Sequence, residues 1–363
     1  MLPGMPVPFG FVTSIVVFAL LTALALRPPR PRHANPWSPT VALTYLLNEQ
    51  PFLAAYLLAA STLPVLAGDV GTPGWWLGVA LTACPAAGLV ALAVRARTAR
   101  PALTAALDRA FGPAPVRRHR LPLLRILLFP FVSYRVDVRR VRNLRYGDAG
   151  RGHLLDVYHG RSRRRGSPVL VYLHGGGLRI GNKMIGGRPL LYRLASRGWV
   201  CVSANYRLGH HARYADQLDD VRRALHWVRE HATEYGADPG TVFLAGGSAG
   251  AHLATTAALT DPAVAGVIGL YGYYGAGVSP APADLLHAGA PPFLVVHGAL
   301  DTAVPARDAR RFAAELGRAS ARPVAYAELP GTQHNFDFFH SLRCHAVLDA
   351  VERFADQVRG YRP

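Results

Sequence analysis

The chain has 363 residues, with 40 Lys and Arg against 22 Asp and Glu, and three cysteines. Cys84, Cys201 and Cys344 are scattered, odd in number and without metal-ligand spacing, which excludes a disulfide framework and a cysteine-ligated metal centre. No Gly-rich phosphate loop, paired-carboxylate motif or histidine metal motif occurs, so no metal and no cofactor are implied.

Phe9 to Leu26 is a stretch of 18 uncharged residues, long enough to cross a bilayer core at about 1.5 Å per residue. A second uncharged stretch, 51–67, extends upstream to about residue 45 at the expense of Asn48, Glu49 and Gln50. A third, 74–94, carries Trp75 and Trp76 at one end as an interfacial anchor. Any one of them could be a buried core helix. Three in succession predict an all-α transmembrane region over 1–100, with helices at about 9–26, 45–67 and 74–94. Ala23-Leu24-Ala25 would serve as a signal-peptide cleavage site, but the first ten residues lack the basic start that such a peptide wants. Arg27, Arg30 and Arg32 follow the first stretch, Asp69 follows the second, and Arg95, Arg97 and Arg100 follow the third. The positive-inside rule then puts the N-terminus outside and both arginine-rich segments, with the catalytic domain, in the cytoplasm, as an integral, multi-pass plasma-membrane protein.

Residues 101–134 read as a basic linker with one short helix over 102–111. Within it, 121–132 is apolar except for Arg125 and is interrupted by Pro122 and Pro130. It fits a segment lying on the membrane surface or a cap packed on the domain that follows. All basic residues but Lys183 are arginine, and those from Arg95 to Arg151 face only Asp108, Asp137 and Asp148. A nucleic-acid patch is conceivable. The position directly after a membrane span instead favours anionic lipid headgroups as the partner, with no nucleic acid.

From about residue 135 to the end, strands and helices alternate as in an α/β domain. Early strands are expected over 154–158, 168–173 and 200–204, and helices over 189–196 and 216–231. The 168–173 run is apolar, β-branched and ends directly at His174-Gly175-Gly176-Gly177. Bare glycine N–H groups there can point at a developing oxyanion. The run 241–245 leads into Gly246-Gly247-Ser248-Ala249-Gly250, and 249–259 is rich in alanine and leucine, as a helix needs. Gly-x-Ser-x-Gly between strand and helix suits a tight turn that exposes a serine, here Ser248, beside a helix N-terminus. A glycine-rich turn with an idle serine is the plain alternative.

A serine hydroxyl needs a base and an orienting acid. The strand expected over 292–298 ends just before Asp301, and the one over 324–329 precedes the loop containing His334. Ser248, Asp301 and His334 would then all lie at carboxyl ends of parallel strands, in the order Ser, Asp, His. His252, His297, His340 and His345 compete as bases and Asp337 as the acid. His252 is expected to face away from the serine, and His297 to serve local packing or hydrogen bonding. Further elements are a strand over 266–271 and a closing helix over 344–358. The stretch 271–292, with Tyr271, Tyr273 and Tyr274, could line a pocket or serve packing.

From about Arg135 onward the chain resembles the hormonesensitive-lipase-like carboxylesterase group of α/β-hydrolases. The resemblance rests on His174 to Gly177, Ser203-Ala204-Asn205-Tyr206-Arg207, Glu234-Tyr235-Gly236-Ala237-Asp238-Pro239, Gly246 to Gly250, and the Asp301 and His334 loops. It implies an oxyanion hole built from the N–H groups of Gly176, Gly177 and Ala249. Three features depart from the pattern. Position 247 is Gly where Asp is usual, 251 is Ala where Gly is common, and the loop from His297 to Pro305 looks more like that of feruloyl-esterase or arylformamidase relatives. The expected activity is a membrane-anchored serine hydrolase acting on a lipophilic acyl ester. An amidase or arylformamidase-like enzyme, an acyltransferase and a non-catalytic scaffold are the alternatives.

Overall fold

The computed structural model describes residues 9–29, 39–67, 73–114, 120–162, 165–209, 212–275, 277 and 279–360. Arg30, Arg32 and Asp69, used above to orient the helices, lie outside the described residues.

Four apolar helices come first: α1 (Phe9–Leu26), α2 (Pro39–Glu49), α3 (Pro51–Leu66) and α4 (Pro73–Ala96). They share a small core that includes Phe11, Ile15, Leu47, Leu58, Leu89 and Leu92. At the α1–α4 crossing Gly88 is required, because a Cβ there would stand 2.4 Å from Thr22 Cγ2. Two helical segments, Phe9–Leu26 and the stretch from Pro73 to Phe111, are long and apolar enough to span a membrane. The single helix expected over 45–67 is instead two, broken at Gln50 and restarted by Pro51, which has no N–H for a continuing helix. Asn48, Glu49 and Gln50, at the break, are buried.

Helix α5 (Ala99–Phe111) follows α4 almost without interruption. It was expected as part of a linker, but Ala99, Leu103, Ala106 and Leu107 are buried in the core of the following domain. Arg100 pairs with Asp349, and Arg353 with Asp108, on the helix it packs against. A short α6 (Leu123–Leu127) then leads to an eight-stranded sheet.

The strands are β1 (Val138–Arg145), β2 (Leu154–Gly160), β3 (Ser167–Leu173), β4 (Val200–Ala204), β5 (Ala237–Gly247), β6 (Val264–Leu270), β7 (Phe293–Gly298) and β8 (Val324–Leu329). Their spatial order is β1-β2-β4-β3-β5-β6-β7-β8. β2 is antiparallel to both of its neighbours, while the pairs from β4–β3 through β7–β8 are parallel. Parallel pairing needs crossovers, which α7 (Arg188–Ser196), α8 (Tyr214–His231), α9 (Ala249–Leu259) and α10 (Ala306–Ala319) supply, and α11 (Leu342–Gly360) closes the chain. Helices on both faces bury β3, β4 and β7 completely, in keeping with their largely apolar sequences. This is a mostly parallel α/β sheet, and the parallel strands aim their carboxyl ends at one edge.

Two elements were not anticipated. β1 reads Val-Arg-Arg-Val-Arg-Asn-Leu-Arg, too basic to look like a strand, yet it needs only one partner at the sheet edge. α10 buries Ala309, Phe312, Ala313 and Leu316, a helical spacing that was legible in the sequence.

Candidate active site

Ser248 stands alone between β5 and α9, with φ +54° and ψ −122°. A non-glycine residue rarely adopts positive φ, and the surrounding packing holds this one there. Its N–H donates to Leu270 O at 2.9 Å, and its carbonyl accepts from Ala251 N–H at 3.0 Å. The flanking glycines are steric necessities. A Cβ at Gly246 would lie 2.3 Å from the Gly250 carbonyl carbon, and one at Gly250 would lie 2.1 Å from Leu173 O. Gly247 is explained as well: a Cβ there would meet the Tyr271 hydroxyl at 2.4 Å.

The glycine loop after β3 is held by the motif after β4. The buried His174 ring stacks on Tyr206 with centroids 4.5 Å apart, and the Tyr206 hydroxyl donates to His174 O at 2.7 Å. Burial pulls the His174 pKa down to about 4, so its imidazole is neutral at physiological pH. Gly176 (φ +127°) and Gly177 (φ +62°) adopt backbone conformations that side chains disfavour. A Cβ on Gly175 would sit 3.1 Å from Ser248 Cβ, so the loop runs in contact with the serine turn. Among the described residues, the Gly176 and Gly177 N–H groups donate no backbone hydrogen bond. Ala249 opens α9, so its N–H has no acceptor within the helix.

Asp301 and His334 meet from the loops after β7 and β8. Asp301 Oδ2 accepts from His334 Nδ1 at 2.7 Å, and its Oδ1 accepts from the N–H groups of Ala303 and Val304 at 2.9 and 2.8 Å. His297 Nε2 lies 3.3 Å from Asp301 Oδ2. Burial pushes the Asp301 pKa up, but His334 and His297 outweigh it and hold the carboxyl well below its usual range. Asp337, the rival acid, points elsewhere: it accepts from the Tyr172 hydroxyl, the Tyr271 hydroxyl and Gly187 N–H. That buried cluster braces the His334 loop from beneath, and burial raises the Asp337 pKa.

Ser248, Ala249, His334, Gly176 and Gly177 line one cavity of about 490 Å³. Its other walls are mostly apolar and include Tyr45, Leu178, Ile185, Tyr271, Tyr273, Val304 and Phe338. Of the three tyrosines, Tyr271 and Tyr273 reach the cavity, while Tyr274 is buried and stacks on Phe312. One expectation is corrected here. His252 lines the cavity rather than facing away, because a residue four positions along a helix returns to the same face. Its Nδ1 bonds Tyr273 O at 3.0 Å, and burial lowers its pKa to about 4. His340 and His345 pair with each other at 3.0 Å and are not among the cavity residues. Tyr45 was missed altogether, because it was read as part of a membrane span.

The mostly parallel sheet, the strained serine turn and the glycine loop against it define an α/β-hydrolase. The BD-FAE family matches residues 155–266. The probable carboxylic ester hydrolase LipM of Mycobacterium tuberculosis is 34% identical, over 96% of this chain and 93% of its own length. Esterase LipQ of the same organism is 34% identical over 60% of this chain and 62% of its own. Among solved structures, Thermogutta terrifontis esterase 2 phosphorylated by paraoxon is 25% identical, with a TM-score of 0.53 over 63% of this chain and 96% of that one. The chain belongs to the α/β-hydrolase carboxylic ester hydrolases of which LipM is a member. It is a carboxylic ester hydrolase.

Proposed function

We propose that Ser248, His334 and Asp301 form the catalytic triad and that Gly176, Gly177 and Ala249 donate to the oxyanion. The observation that carries this reading is the 2.7 Å bond from His334 Nδ1 to Asp301, in a cavity shared by His334 and the strained Ser248. With its proton fixed on Nδ1, His334 presents a bare Nε2 to accept a proton. His334 bonds Asp301, and a hydrogen bond between its Nε2 and Ser248 Oγ is expected to form as substrate binds. Ser248 Oγ then attacks the ester carbonyl carbon, its proton passes to His334, and the carbonyl oxygen gains charge facing the three N–H groups. Collapse breaks the carbon–alkoxy bond, and His334 protonates the departing alcohol. Water, deprotonated by His334, releases the acid and frees the serine. The apolar cavity walls favour a lipophilic acyl ester.

The N-terminal helices support a membrane-anchored form of this enzyme. Phe9, Val16, Val17, Leu20, Leu57, Leu63, Trp76, Val90 and Val94 are exposed on the outside of the small bundle, as lipid-facing side chains would be. Residues 121–132 support the interfacial reading over the cap. Leu123, Leu124, Leu128, Phe129 and Phe131 are at least half exposed, and none of them lines the cavity. With the arginines that follow the helices, this favours a plasma-membrane protein with a cytosolic hydrolase domain and contacts to anionic headgroups. Labelling with a fluorophosphonate in membranes of known sidedness tests both parts. Ser248→Ala should abolish labelling, and a membrane-impermeant probe should react only from the cytoplasmic side. Undiminished labelling of Ser248→Ala would overturn the nucleophile assignment.

A further inference from the structure

We infer that α2 is a working part of the active site: Tyr45 walls the substrate cavity, and Asn48, Glu49 and Gln50 position the His334 loop. The inference rests on the triad reading above.

The contacts converge on the loops that carry the acid and the base. The Tyr45 hydroxyl bonds Thr302 Oγ1 at 3.0 Å, next to Asp301, and its ring lies 6.3 Å from the His334 ring. Asn48 Nδ2 donates to Gly331 O at 3.1 Å, three residues before His334. Gln50 Nε2 donates to His340 O at 3.2 Å, six residues after it. Glu49 accepts from the Ser341 hydroxyl at 2.6 Å and pairs with Arg343 at 3.1 Å, and Arg343 in turn donates to Gly331 O. The base-bearing loop is thus held at both ends by one turn of α2 and its terminus.

This turn is the polar interruption between two apolar helices. Asn48, Glu49 and Gln50 are all buried, and apart from Ala25 O, which Asn48 Nδ2 also reaches, the side-chain partners they find lie on the hydrolase; Asn48 Oδ1 finds none among the described residues. A helix serving only as an anchor would have no use for a buried Asn-Glu-Gln break. A base loop displaced by a fraction of an ångström loses its alignment with the serine, and a misplacement of 1 Å can cost about 100-fold in rate. Tyr45 acts differently. It touches the space that the acyl or alcohol part of the substrate fills, so it sets the length that fits.

The test uses the full chain in detergent, with p-nitrophenyl esters of graded acyl length and a fluorophosphonate. Tyr45→Ala should shift the preferred acyl length upward and raise KM for the shortest ester about tenfold, within the range that pocket-filling groups command. Asn48→Ala should lower kcat and the rate of Ser248 phosphonylation about 10- to 100-fold while KM stays within twofold. Leu43→Ala, on an exposed face of the same helix, should match the parent. Tyr45→Phe keeps the ring and every bond to the His334 loop, so it should keep the parental acyl profile. If Asn48→Ala fails to fold, the two Tyr45 variants decide. An unchanged acyl profile in Tyr45→Ala, or unchanged kcat and labelling in folded Asn48→Ala, would overturn the inference. Persistent labelling of Ser248→Ala, measured alongside, would instead sink the triad reading and leave the α2 contacts without a catalytic meaning.

Discussion

Asp301 shows how burial and charge compete at one residue. Its carboxylate is out of water, which alone would favour the protonated form, yet two imidazoles and two backbone N–H groups face it. The depressed pKa fixes the sign of its pH effect. In the unfolded chain the group titrates at about 3.9, so its contribution to stability is complete above that pH and is lost as pH falls below it. Asp301→Asn should therefore flatten the acid arm of stability below about pH 4, read as unfolding midpoint against pH. The same variant should lower kcat by about 10²- to 10⁴-fold through loss of the oriented tautomer. Gly247 belongs to the same scale. With Tyr271 Oη 2.4 Å from where a Cβ would sit, Gly247→Asp must push Tyr271 off Asp337. It should destabilise the protein by about 1–3 kcal/mol in chemical denaturation, although Asp is the usual residue at this place in the resembling group.

Among the elements, α5 departs furthest from its sequence reading. Its spacing of Leu103, Ala106 and Leu107 is an amphipathic face, and that face needs a partner. The partner is β8 and α11, so the helix closes the core rather than bridging two domains. Leu103→Ala or Leu107→Ala should each cost about 2–5 kcal/mol, as for other buried leucines, measured by urea unfolding in detergent. A mere linker would tolerate either change. β1 illustrates the opposite problem. Its arginines gave no strand pattern, but Arg140 reaches the fully buried Asp156, which Lys183 also meets at 2.9 Å. A buried carboxylate with two cationic partners holds the edge strand where apolar alternation does not.

At the scale of the whole molecule, the exposed apolar side chains of residues 121–132 lie outside the cavity and belong to the proposed membrane-facing surface. If residues 121–132 lie in the headgroup region, polar replacements there should weaken attack on lipid-like substrate and spare soluble ester. Leu124→Ser combined with Phe129→Ser is expected to lower the rate on long-chain ester in anionic vesicles several-fold, leaving kcat/KM for a short soluble ester within twofold. An equal loss on both substrates would point to a defect inside the hydrolase instead.

Local rules made much of this protein readable. Apolar runs marked the buried parallel strands, and the glycines around Ser248 and after His174 marked turns that tolerate no Cβ. The order Ser, Asp, His then gave each candidate a strand end. These readings rest on steric and burial constraints that act within a few residues, so they survive without knowledge of the fold. The hydrolase partners of Tyr45, Asn48, Glu49 and Gln50 lie more than 250 positions away along the chain. The side chains that distinguish Asp301 from Asp337 as candidate acid are nearer, His334 at 33 positions from the one and Tyr271 and Tyr172 at 66 and 165 from the other, but they too are brought in by the folded sheet. Polarity in a short stretch tells only that a partner is needed. Which partner it finds was decided by tertiary packing alone.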